Sequence, residues 1–112
     1  MIGTFAHPST GRGNICATDY EEVTVSTAAV GLTPAKLAGS DYALMRVIGG
    51  PLRLRLDGPA PTATMGVPVF DGENWVLVPR EMNRLLAIRS GAPGAVDGTL
   101  CVVYYEHNAP PP

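Results

Sequence analysis

The chain has 112 residues, of which 46% are hydrophobic and 16% charged, with a net charge of -2 at pH 7. That length and composition fit one globular domain with one small core, and they exclude a disordered chain. Eight basic side chains scattered among ten acidic ones leave no positive stripe to neutralise phosphates, and no apolar run reaches the ~18 residues of a membrane helix, so neither nucleic acid nor a bilayer is an expected partner.

Residues 1–18 hold Gly, Pro, Ser and Thr around only three larger apolar side chains, Ile2, Phe5 and Ile15. They read as an extended N-terminal arm that orders on docking against a neighbouring subunit, with Ile2 and Phe5 as candidate partner-binding residues. The opening MIGTFAHPSTGRG lacks the basic start and apolar centre of a signal peptide, so synthesis in a cytoplasm is expected. The two cysteines, Cys16 and Cys101, make neither a metal spacing nor a CxxC pair, and a reducing compartment favours free thiols over a disulfide between them.

Thirteen glycines and eleven prolines keep nearly every apolar run short, and no window sustains helical periodicity, which predicts an all-β domain over residues 19–106. YEEVTVST from Tyr20 to Thr27 suits a half-buried strand, and AVGLT a second short one. Thr33-Pro34-Ala35-Lys36-Leu37 has a capping hydroxyl and a proline at the first helical position, so one helical turn is expected. DYALMRVI from Asp41 to Ile48 reads as a strand that ends at Gly49-Gly50.

In LRLRL, Leu52, Leu54 and Leu56 share one face and Arg53 and Arg55 the other, the pattern of a strand with one side on the core. Asp57-Gly58-Pro59 marks the turn after it. Val67 to Phe70 and Asn74 to Val78 read as two strands of a hairpin about Asp71-Gly72, with Trp75 beside a core edge. PREMN is able to start a helix, but its β-rich surroundings favour a turn feeding a strand from Leu85 to Ser90. TLCVVYYE places Leu100, Val102 and Tyr104 on one face and Cys101, Val103 and Tyr105 on the other. Two apolar faces imply a central strand, or one face covered by another subunit. His107 to Pro112 is a proline-rich tail, 107–112. Seven to eight short strands at this spacing give a single antiparallel β-sandwich or barrel.

Chemistry has few candidates. His7 and His107 sit in the terminal segments, and no GxSxG elbow is present, so no catalytic residue is assigned and the chain is not read as an enzyme. Asp19, Glu21 and Glu22 form one acidic group and Asp71 with Glu73 another, but neither has the ligand spacing of a known metal loop, so no metal and no cofactor are expected. Arg53 and Arg55 are either a solvated guard on a sheet or a clamp for a partner's carboxylates. Trp75 and Tyr104-Tyr105 serve as core and interface, or as a platform for sugar rings.

The stretches YEEVTVSTAAVGLTPAKL, LRLRLDGPAPTATMG, DGENWVLV and RLLAIRSGAPGAVDGTLCVVYYE, in that order from Glu21 to Glu106, resemble a group of small structural proteins of tailed bacteriophages. Their marks are an arginine-alternating strand running into a DGxxPT turn, an "AIR" strand and a closing "TLxVxYY" strand. The resemblance implies a virion component, a capsid decoration or cement protein assembled in the host cytoplasm. It implies a homo-oligomer, often a trimer, that binds the major capsid protein and carries no catalytic residues. Arg53, Arg55, Trp75 and Tyr105 join Ile2 and Phe5 as candidate partner contacts. The DGxxPT turn also looks like the hairpin of sandwich modules appended to carbohydrate-acting enzymes, which leaves a tail-associated carbohydrate-binding or host-adsorption module as the alternative.

Overall fold

In a computed structural model of the protein, which describes residues 16–106, the alternating leucines of LRLRL do point into a shared core, and Leu52 and Leu54 are fully buried. The strands are β1 (Cys16–Val25), β2 (Val30–Gly31), β3 (Tyr42–Gly49), β4 (Leu52–Arg55), β5 (Val67–Val69), β6 (Asn74–Leu77), β7 (Leu86–Arg89) and β8 (Gly98–Glu106), with short helices α1 (Pro34–Leu37) and α2 (Pro79–Arg84). They form two four-stranded sheets, ordered β1-β8-β3-β6 and β2-β7-β4-β5, in which every pairing is antiparallel. The fold is the expected all-β sandwich.

Val25, Ala43, Met45, Val47, Leu77, Leu100, Val102 and Tyr104 of the first sheet share one core with Leu52, Leu54, Val69 and Ala87 of the second. Each large side chain so buried contributes about 1.5–3 kcal/mol of transfer free energy. β8 lies between β1 and β3, which accounts for its two apolar faces: Leu100, Val102 and Tyr104 are buried in the core, while Cys101, Val103 and Tyr105 are half-buried on the outside.

Two of the chain's changes of sheet, β3 to β4 and β5 to β6, are made at glycine corners. Gly49 and Gly50 adopt φ of 77° and 90°, and a Cβ on Gly49 would stand 2.8 Å from the Asp97 carbonyl oxygen, so both conformation and space require glycine there. Asp71 Oδ1 accepts the Gly49 N–H at 2.8 Å, tying this corner to the next. Asp71-Gly72 itself is not the tip of a hairpin, as the sequence suggests. β5 pairs with β4 in one sheet and β6 with β3 in the other, so the same positive-φ turn serves as a corner.

Three other expectations change. β1 begins at Cys16, inside the segment read as the arm 1–18, because its start lies along β8: Thr18 occupies a bulge between Ala17 and Asp19, and its hydroxyl donates to the Tyr104 carbonyl at 3.3 Å. The AVGLT strand shrinks to Val30–Gly31. PREMN is a helix rather than a turn. Pro79 begins it, Glu81 Oε1 accepts the Val78 N–H at 3.2 Å, and burial of Met82 to 2% supplies the tertiary reason that local propensity alone lacks. The arm positions before Cys16 and the tail 107–112 lie outside the described residues.

Candidate functional site

The outward side of the β1-β8-β3-β6 sheet combines the off-core positions of its four strands. The register aligns Ala17, Tyr105 and Tyr42 in one row and Tyr20, Val103 and Leu44 in the next, with Val76 of β6 beside Leu44. Glu22, Cys101 and Arg46 follow, with Asn74 alongside, and then Thr24, Thr99 and Ile48. Two apolar rows are therefore bordered by a charged one. Tyr20, Val76 and Ile48 are 48%, 43% and 41% exposed, where the wet side of an antiparallel sheet ordinarily presents polar side chains.

The Tyr42 and Tyr105 rings stack with centroids 5.1 Å apart and planes 5° from parallel, which gives the first row a rigid aromatic surface. Across the second and third rows a depression of about 240 Å3 is lined by Leu44, Arg46, Asn74, Val76, Cys101 and Val103, with Met45 and Trp75 from the same strands. Glu22 Oε2 accepts the Tyr20 hydroxyl at 2.6 Å. That bond to the carboxylate pushes the Tyr20 phenol well above its usual range, so the phenol stays protonated and donating. Arg46 is exposed and makes no hydrogen bond or ion pair among the described residues.

The candidate residues named from sequence do not gather in one place. Tyr105 lies on this outward side, while Arg53 and Arg55 lie on the far side of the sandwich, on β4. Arg55 binds Asp57 through two bonds, Nε to Oδ1 at 3.0 Å and Nη2 to Oδ2 at 2.6 Å, and this bond lowers the Asp57 pKa. Arg53 Nη1 donates to the Gly66 carbonyl at 3.0 Å, and its Nε is buried without a partner among the described residues. Both guanidinium groups are thus engaged with their own DGPAPTATMG loop. Trp75 is packed against the core, with its indole N–H donating to Glu73 Oε1 at 3.3 Å. Ile2 and Phe5 lie outside the described residues.

The acidic groups are structural. Glu21 takes the Thr33 hydroxyl at 2.5 Å and the Thr33 N–H at 3.0 Å, and it also accepts the Tyr104 hydroxyl. Partial burial pushes the Glu21 carboxyl upward, but these bonds outweigh it and hold the group below its ordinary value. Asp19 is held down by the Lys36 ammonium at 2.9 Å. Glu73 Oε2 accepts the Phe70 N–H at 2.8 Å and so closes the second corner.

Leu44, Arg46, Ile48 and Val76 were missed by the sequence reading, although the alternation of DYALMRVI contains the signal. Its off-core positions are Tyr42, Leu44, Arg46 and Ile48, and three of these four are apolar or aromatic where a solvated sheet would place charge. Comparison of the chain with protein-family models, with curated proteins and with solved structures gives no match.

Proposed function

We propose that the protein works by protein–protein contact, as a structural component of a tailed-phage particle that decorates the head as a cement protein. The observation that supports contact is the apolar outward side of the β1-β8-β3-β6 sheet. Soluble monomers rarely leave a contiguous apolar patch of this kind open to water, and such patches mark interaction surfaces. The assignment to a phage head rests on the ordered motifs from YEEVTVST to TLCVVYYE. In this role modest contacts, repeated over a symmetric lattice of major capsid protein, tie neighbouring subunits together through avidity.

The carbohydrate-binding alternative requires a flat aromatic platform open to solvent. Trp75, the single tryptophan, is instead half-buried with its N–H held by Glu73.

Cosedimentation with heads of the encoding phage purified without this protein tests the reading, with a glycan array run in parallel. Saturable binding to heads and no glycan signal are expected. Glycan binding without head binding overturns the proposal.

A further inference from the structure

We infer that a second copy of this chain covers the outward side of β1, β8 and β3, related to the first by a two-fold axis that runs along β8. The inference shares this surface with the proposed function, but its test involves no phage head, so either can fail without the other.

Charge complementarity selects a second copy as the occupant. In the third row Glu22 and Arg46 sit on opposite sides of β8, both level with Cys101. Rotation by a half turn about an axis parallel to β8 lays β1 of one copy over β3 of the other. Glu22 then faces the second copy's Arg46, and Arg46 its Glu22, so two opposite-charge pairs form by symmetry. The same rotation sets Tyr20 over Leu44 and Val103 over Val103, which closes the apolar rows on each other. A two-fold axis running across the strands can also close the apolar rows, but it lays β1 on β1 and β3 on β3 and so brings no Glu22 to an Arg46. A three-fold arrangement cannot place this surface on itself at all.

The local details agree. Glu22 is braced by the Tyr20 hydroxyl, and Arg46 has no partner of its own among the described residues. Two sheets stacked about 10 Å apart leave room for an arginine and a glutamate to meet end to end. Only β1, β8 and β3 overlap under this rotation, because β6 falls beyond the other copy's edge strand β1; three strands about 4.8 Å apart make a footprint smaller than the ~800 Å2 per partner of a standard interface, so the dimer should dissociate on dilution.

Native mass measurement on the full chain over a concentration series is the test. Twice the chain mass is expected, giving way to the monomer at low concentration. Arg46→Glu and Glu22→Arg should each weaken the dimer at least about ten-fold, because each sets like charges together twice. The double variant Glu22→Arg/Arg46→Glu should restore it. Mixing the two single variants should yield a heterodimer of one copy of each, in which both pairs are again opposite in charge. In a Cys16→Ser background a short bismaleimide should join Cys101 to Cys101 in the dimer. Circular dichroism confirms that each variant is folded. A trimer, a monomer at every concentration, single variants that remain dimeric or a mixture that forms no heterodimer would each overturn the inference.

Discussion

Glu21 joins three parts of the chain through one carboxylate: its own strand, the start of α1 through Thr33, and β8 through Tyr104. Its pKa is lowered on folding from the ordinary 4.5, so these bonds stabilise the fold above that value, and their contribution is lost as the pH falls through the folded value. The unfolding midpoint in denaturant should therefore drop as the pH falls below the ordinary 4.5, and Glu21→Gln should flatten that part of the profile. At neutral pH, Tyr104→Phe should cost about 1–2 kcal/mol, because the phenol is buried and its partner remains charged; equal stabilities of the two proteins would exclude the role. None of this was legible in YEEVTVST. Glu21 reads there as one of three solvated acids, because the hydroxyls that engage it lie 12 and 83 residues away. Arg53 and Arg55 were placed correctly outside the core, but a sequence pattern reports the side of a strand and not whether a loop has already occupied the guanidinium.

Among the elements, period-two alternation was the most legible signal, since burial from both sides of a strand is a local property of its sequence. β4 and β8 followed it. The helix α2 did not, because its reason to exist is the burial of Met82, which belongs to the assembled core. The corners show the same limit. A glycine pair with positive φ is compatible with a hairpin and with a change of sheet, and only the partners of the flanking strands decide. Gly49 and Gly72 can be told apart by experiment. Both have positive φ, 77° and 88°, but a Cβ on Gly72 meets nothing within 4 Å while one on Gly49 meets the Asp97 oxygen at 2.8 Å. Gly72→Ala should cost about 1–2 kcal/mol, the conformational penalty alone, and Gly49→Ala clearly more. Similar losses in thermal unfolding would show that the Asp97 backbone yields.

For the molecule as a whole, the boundary of the domain is set by pairing and not by composition. Cys16 stands opposite Glu106 and Cys101 opposite Glu22, so about 17 Å of strand separates the two cysteines along the ladder, too far for a disulfide. Deleting residues 1–15 leaves every described backbone pair in place. Deletion through Thr18 removes a stretch of β1 and its bond to Tyr104, and should lower the midpoint measurably. A loss of stability already at the shorter deletion would mean that the domain extends further toward the N-terminus. Composition was blind to the strand in Cys16-Ala17-Thr18.

The position of β8 also governs when the protein can fold during its synthesis. β1 and β3 touch through no hydrogen bonds of their own; the strand between them emerges from the ribosome after every other element. Until Gly98–Glu106 has been made, the first sheet has no middle, and the apolar sides of β1 and β3 wait in water or in the grip of a chaperone. A translation stall just before β8 would leave two strands without a common neighbour, and release a chain prone to aggregate rather than a slightly shortened domain.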